Sequence, residues 1–323
     1  MQSKTQQATA SAVSQMKIGV VGAGLIGRAW AIVFARADFN VSVYDVNTTA
    51  LDKAGDAIRQ SLTDLQQAGL VTGVEQVMAR IRFDADLVSA MQGVGYVQEC
   101  GPENVEGKRA IYSELETAVA DDTVLASSTS GIAASLFSDH LRHPERCLVA
   151  HPVNPPYLIP LVEVVPTPQT SEAATAMTMQ LMEAAQQAPI LVRKEIEGFV
   201  LNRLQGALLN EALRLFRDGY VSAEDLDKTV KYGLGLRWSF MGPFETIDLN
   251  APAGVVDYAS RYGPLYHQVD QQRGKENPWD DATLNALDEE RRALLPSTKL
   301  AARHEWRDRR LMALIAHQRS MTE

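Results

Sequence analysis

The stretch IGVVGAGLIGRAW, Ile18 to Trp30, constrains this chain more than any other. A β-branched run ends in three glycines, Gly22, Gly24 and Gly27, spaced as G-x-G-x-x-G, and LIGRAWAIVFARA follows with helical patterning. Strand, turn and helix in that order is the context in which the spacing carries information. Gly22 permits the tight turn, Gly24 lets a pyrophosphate approach the backbone, and Gly27 lets the helix press on the strand. Leu25 and Ile26 open the helix, whose first N–H groups and positive dipole end favour an anion. Asp45 ends the second β-run, VSVYD, about twenty residues on, where a carboxylate accepts both hydroxyls of an adenosine ribose and repels a 2′-phosphate. Val46, Asn47 and Thr48 supply no arginine to neutralise such a phosphate. The pattern therefore favours NAD over NADP as the cofactor.

From Lys17 onward, short β-branched runs alternate with helical patterns: VGYVQE at Val94 to Glu99, TVLA at Thr123 to Ala126, and RCLVA at Arg146 to Ala150. Such alternation means βαβ units and a parallel sheet. LVEVV at Leu161 to Val165 and PILVR at Pro189 to Arg193 continue the series and are expected to add mixed strands. After Lys194 the texture changes to long amphipathic patterns, the first ending on Gly219, a residue suited to closing a helix. The expected fold is α/β: a Rossmann-type doubly wound, mostly parallel sheet over residues 16–194, then an all-α C-terminal domain over residues 195–323.

A chain of 323 residues, 46% hydrophobic and 22% charged, has room for two packed domains. Its net charge of -9, spread without a basic stripe, argues against nucleic acid or an anionic membrane as partner. Cys100 and Cys147 have no metal-ligand spacing and suit a reducing compartment, both read as buried small hydrophobes. Residues 1–15 carry one lysine and no apolar run of signal-peptide length, so a disordered tail is expected. No segment holds the ~18 uncharged apolar residues of a membrane span. The expected location is the cytoplasm.

SSTSGI, Ser127 to Ile132, and HPVNPPYLIPLVEVV, His151 to Val165, belong at the carboxyl edge of the sheet, where doubly wound folds hold ligands. Oxidising an alcohol with NAD requires a base for the hydroxyl proton, and His151 has the side chain whose ordinary pKa lies nearest working pH. Glu163 is placed to hold its other ring nitrogen. Ser130, Asn154 and Asn202 can hydrogen-bond a substrate hydroxyl or developing carbonyl. Spacing alone leaves each open to a plainer reading: a structural histidine, a turn serine, a cap for Pro155-Pro156, a helix-surface asparagine.

Together with EIEGFVLNRLQ, GLGLRWSFMGPFET and LAARHEWRDRRLM, these motifs resemble the 3-hydroxyacyl-CoA dehydrogenase superfamily from about Lys17 to the C-terminus. The resemblance implies that His151 is the general base, Glu163 its orienting partner, and Ser130 and Asn202 contacts of the reacting oxygen, with Asn154 in the HPxN motif. It places Asp45, Glu103 and Lys108 at cofactor-contacting positions, and Arg237 against the substrate's carboxylate, while Trp238 is expected in the core. The acyl-CoA branch usually carries a lysine late in the helix after the second strand, where this chain has Gln66, Gln67 and Ala68. It also tends to show an aromatic pair after its histidine, where this chain has Pro152 and Val153. The implied substrate is a small-molecule 3-hydroxy acid with a compact carboxylate; a trimethylammonium substrate, a CoA thioester, and a non-catalytic structural or NAD-sensing role are the rivals. The family commonly pairs through its helical domain, so a homodimer is expected, with Val200, Leu204, Leu208 and Leu215 serving a core or a dimer seam. Asp45 generates the first prediction: NAD should be reduced in clear preference to NADP in parallel initial-rate assays, and a preference for NADP would contradict the assignment.

Overall fold

The computed structural model describes residue 13, residues 16–272, residue 274 and residues 276–321. The expected tail therefore lies outside the described residues except for Val13, which is buried. Eight strands form one sheet: β1 (Lys17–Val21), β2 (Asn40–Tyr44), β3 (Ile81–Asp84), β4 (Tyr96–Glu99), β5 (Val124–Ser127), β6 (Cys147–Pro152), β7 (Leu161–Pro166) and β8 (Ala188–Leu191). Their order is β3-β2-β1-β4-β5-β6-β7-β8, parallel throughout except for the antiparallel pair β6 and β7. The helices that cover it include α1 (Leu25–Arg36), α2 (Thr48–Gln67), α3 (Val74–Met78), α4 (Leu87–Met91), α5 (Val105–Ala118), α6 (Ser135–Ser138) and α7 (Glu172–Ala184). This is the expected doubly wound sheet. β3 was not apparent in the sequence because IRFD is a short edge strand with only Ile81 buried, which leaves no apolar run.

Alternate strand residues point to opposite faces. Val20, Val43, Tyr96, Ala126 and Leu148 join one apolar layer, while Val21, Val97, Leu125 and Val149 join the other. Trp30 of α1 is fully buried in the first layer, stacked on Phe34 at a centroid separation of 5.2 Å, and its indole N–H donates to Ser128 Oγ at 3.1 Å. Helix starts are set locally: Asn47 Oδ1 accepts from the N–H of Ala50 to begin α2, and Asn104 Oδ1 from that of Gly107 to begin α5. The strand order turns back between β1 and β4, so a crevice opens beyond their carboxyl ends.

The chain divides into two compact units, residues 1–203 with 305–323, and residues 204–304. The division falls beyond Lys194 because Glu163 of β7 holds the backbone at Val200 and Leu201 to the first unit. The C-terminal residues join that unit because Met312 is buried in its core, with Leu311 and Ile315 packed against it. The second unit is helical among the described residues, with most of α8 (Leu201–Arg217), then α9 (Ala223–Thr229), a π turn at Val230–Leu234, α10 (Gly235–Trp238), α11 (Pro243–Leu249), α12 (Val255–Gln271) and α13 (Asp281–Leu294). The final helix, α14, runs from Leu300 to Ser320. Trp238 is not in a core: α10 buries none of its residues, and the Trp238 side chain is 41% exposed. Val200, Leu204, Leu208 and Leu215 are likewise exposed rather than buried. No described helix is long and apolar enough to cross a membrane.

Trp30 joins α1 to the sheet by its burial in the first apolar layer and by its hydrogen bond to Ser128. Trp30→Ala should cost about 3–5 kcal/mol in urea unfolding followed by circular dichroism, and a loss below about 1 kcal/mol would show that this layer is not packed as described.

Candidate active site

The first strand ends directly in the glycine turn. Gly22 has φ +106°, a conformation costly for other residues, and a Cβ there would meet Cys100 O at 2.8 Å. A Cβ on Gly27 would meet Gly22 O at 1.8 Å, so only glycine lets α1 start this close to β1. Around Gly24, by contrast, the space is open to 4 Å. Gly24 is also the N-cap and offers no side chain, so the first-turn N–H groups of the twelve-residue α1 are left for a ligand. Asp45 stands at the end of β2 with Oδ2 accepting from Ala23 N–H at 2.7 Å and Oδ1 from Asn47 N–H at 2.8 Å. One donor on each oxygen orients the carboxylate and leaves further lone pairs for ribose hydroxyls. These residues fit an NAD molecule laid across the turn.

The antiparallel pairing of β6 with β7 sets His151 directly opposite Glu163. His151 Nδ1 lies 2.8 Å from Glu163 Oε2, with the imidazole 6% exposed and the carboxylate fully buried. The other carboxylate oxygen accepts from the N–H groups of Val200, at 2.8 Å, and Leu201, at 2.9 Å. Burial by itself would push the Glu163 carboxyl up, but the hydrogen bonds from His151, Leu201 and Val200 outweigh it and hold the group below the ordinary carboxylate value. An ionised Glu163 accepts from Nδ1–H, and Nε2 is left as the proton acceptor. Phe199, fully buried, covers the imidazole at a ring separation of 5.5 Å. It does so from the left-handed region, at φ 49°, immediately after Gly198 at φ 73°.

The remaining polar groups of this edge form a continuous chain of contacts. Asn202, in the first turn of α8, donates from Nδ2 to Ser130 O at 2.7 Å, so the expected serine and asparagine meet through the serine backbone. The Ser130 side chain stays exposed. Glu103 Oε1 accepts from Ser130 N–H at 2.7 Å and from the Thr129 hydroxyl at 2.8 Å. Behind Glu103, at 3.7 Å, sits the Lys108 ammonium, which is buried and bound to both oxygens of Glu99 at 3.1 and 2.9 Å. Glu99 also accepts from the Ser127 hydroxyl and from Gly101 N–H. Each buried charge thus has an opposite charge, and the carboxylate has further donors, the condition under which a buried pair is tolerated. Glu99, Ser127 and Phe199 were not singled out from the sequence; the only available signal was their place at strand or helix ends.

Asn154 is exposed in the turn after His151, before Pro155. Arg237 lies on α10 in the second unit, and among the described residues no carboxylate pairs with its guanidinium. Cys147 is buried as expected, but Cys100 is half-buried, packed against the first apolar layer, and its Sγ approaches Ser128 Oγ at 3.2 Å. Burial pushes both thiols up to about 12, which leaves them uncharged at neutral pH.

A dinucleotide cradle beside a buried His–Glu pair defines a nicotinamide-dependent dehydrogenase. Residues 17–196 match the NAD-binding domain of 3-hydroxyacyl-CoA dehydrogenase and residues 198–291 match its C-terminal domain, so the chain belongs to the 3-hydroxyacyl-CoA dehydrogenase family. It is 42% identical over 307 residues to lambda-crystallin of Oryctolagus cuniculus, covering 94% of this chain and 96% of that one. It is 37% identical over 249 residues to L-carnitine dehydrogenase of Oceanobacillus iheyensis, covering 77% and 80%. Among solved structures, 5-formyl-3-hydroxy-2-methylpyridine 4-carboxylic acid 5-dehydrogenase, an NAD+-dependent dismutase, aligns with a TM-score of 0.80 at 28% identity, covering 94% of this chain and 99% of that one. The chain is accordingly an NAD-dependent oxidoreductase, of the class that acts on hydroxy acids or their CoA thioesters.

Glu163 generates two linked expectations. Glu163→Gln should lower kcat about a hundred-fold or more while leaving NADH affinity unchanged, because the His151 imidazole, the proposed base, loses its partner and the glycine turn loses nothing. With the folded-state carboxyl held below its ordinary value, about 4.3, the ionised group contributes stability in full above that pH and loses it as pH falls through the lower folded value. Glu163→Gln should therefore be less stable than wild type at pH 7, with the difference shrinking on acidification below about pH 4. A pH-independent difference in denaturant midpoints would contradict this.

Proposed function

We propose that this protein oxidises the C3 hydroxyl of a short, polar 3-hydroxy acid with NAD, and that L-gulonate, converted to 3-dehydro-L-gulonate, is its substrate. The His151–Glu163 pair carries the proposal: its Nε2 accepts the alcohol proton, and Glu163 stabilises the imidazolium that results. NAD, when bound, supplies the hydride acceptor. Gly22, Gly24, Leu25, Ile26 and Gly27 hold its phosphates, Asp45 its adenosine ribose, and Glu103, backed by Lys108, its nicotinamide side. The Ser130 hydroxyl contacts the reacting oxygen, and Asn202 contributes by fixing the Ser130 loop, while Asn154 closes the far side of the HPxN turn.

The substrate class rests on charge. The last turn of α2 carries no basic residue, and Gln66 and Gln67 are exposed there, which offers nothing to a CoA nucleotide. Arg237, assigned to the substrate carboxylate by its place in GLGLRW, has the planar fork that such a group requires. The 3-keto acid product carries a ketone that stabilises the carbanion left by loss of CO₂, so decarboxylation is its ordinary fate. The protein is proposed to act in the cytoplasm as a homodimer formed through the second unit, whose Leu204, Leu236, Phe240 and Phe244 are all more than 60% exposed.

His151→Ala should lower kcat by about two to four orders of magnitude with NADH binding retained. NADH formation from L-gulonate, L-carnitine and 3-hydroxybutyryl-CoA should be greatest with L-gulonate. Turnover of the thioester alone would refute the substrate class, and tight NADH binding without turnover of any hydroxy acid would point to a non-catalytic role.

A further inference from the structure

Arg36, Arg80 and Arg319 line one cavity of about 360 Å³ at the amino edge of the sheet. Arg36 ends α1 and Arg80 immediately precedes β3, so the cavity lies away from the glycine cradle, roughly 16 Å along α1 at 1.5 Å per residue. Asp38 is the only acid in its lining, and it is already paired with Arg80 at 2.6 Å. Among the described residues no carboxylate pairs with Arg36 or Arg319.

The hydrogen bonds that these two arginines make are few and neutral. Arg36 donates through Nη1 to Tyr157 O at 2.7 Å, and with the Gln187 amide turned to the orientation that satisfies both its ends, its oxygen accepts from Arg36 Nη2 at 3.2 Å. Arg36 Nε is buried and has no partner. Arg319 makes one long contact, from Nη1 to Leu70 O at 3.4 Å. Burial, and then the like charge of Arg319, push the Arg36 guanidinium down to about 10, and among the described residues Asp38 is the one acid in the wall that the two cations share. In a chain of net charge -9, such a concentration of unneutralised positive charge is a local exception. A second cavity of about 300 Å³ shares Arg36, Gln186 and Arg319 as wall.

We propose that this arginine-lined cavity is a binding site for a small oxyanion, a phosphate ion or the phosphoryl group of a small metabolite, separate from the dinucleotide cradle. Guanidinium forks match such oxygens in pairs, and charge-assisted bonds of this kind are among the strongest available to a side chain. An oxyanion held there neutralises the repulsion between Arg36 and Arg319. The volume falls at the lower end of small-ligand clefts, roughly 300–1,000 Å³, which leaves room for a compact organic group beyond the phosphoryl.

The test is isothermal titration of inorganic phosphate, and separately of a sugar monophosphate, into protein saturated with NADH, at fixed ionic strength. Occupying the cradle first ensures that its own phosphate affinity does not contribute. One saturable site per chain is expected, weakened about ten-fold or more by Arg319→Gln and by Arg36→Gln, with NADH affinity unchanged in both. Tighter binding of the sugar monophosphate assigns the site to a phosphorylated metabolite, and equal or weaker binding assigns it to the free ion. Should Arg36→Gln fail to fold, Arg319→Gln alone decides. Absence of saturable binding by either probe, or wild-type affinity in Arg319→Gln, overturns the proposal.

Discussion

The structure depends on one register. In an antiparallel pair, residues directly opposite each other stand close enough for their side chains to meet, and the pairing of β6 with β7 gives His151 and Glu163 that relation. A slip of one residue would turn one partner to the opposite face of the sheet and dissolve the pair. The register is held by buried apolar residues on both sides of it, with Ala150 and Val164 in one layer and Val149 and Val165 in the other. Core packing and the His151–Glu163 geometry are thus one constraint.

From that pair the order propagates outward through shared acceptors. Glu163 binds two backbone N–H groups at the start of α8, which positions Asn202, which in turn holds Ser130. From the other side Glu103 holds the same serine, backed by the buried Lys108–Glu99 pair. Two buried carboxylates, Glu163 and Glu99, serve as anchors from opposite ends, each with more than one donor. Burying them is expensive, and the multiple hydrogen bonds offset that cost. The His151 imidazole and the Ser130 loop are thereby kept in fixed orientations, the preorganisation that the proposed proton transfer requires.

Much of this was legible because it is local or periodic. Gly22, Gly24, Gly27 and Asp45 lie on the first βαβ unit, and His151 and Glu163 lie on one hairpin, so the order of strands alone brings each set together. β3 escaped notice because an edge strand of four residues with a single buried side chain carries no periodic signal. Glu99 and Ser127 meet across 28 residues, and Arg36 and Arg319 across most of the chain; nothing in the local pattern of either marks the other. Trp238 reads as core because a large aromatic side chain usually buries, whereas α10 buries none of its residues. Phe199 is illegible for a different reason: the left-handed backbone from which it meets His151 is one that a phenylalanine rarely adopts, so its local sequence does not point to it.

The position of one proton, on Nδ1 or Nε2 of His151, decides the proposed chemistry. Nitrogen-15 spectra of protein labelled at histidine, with His151 assigned by substitution, report which ring nitrogen is protonated. In its neutral form the His151 imidazole should show a protonated Nδ1 and an unprotonated Nε2, because Glu163 holds the first and the proposed reaction needs the second. A resting state with the proton on Nε2 and a bare Nδ1 would contradict the account.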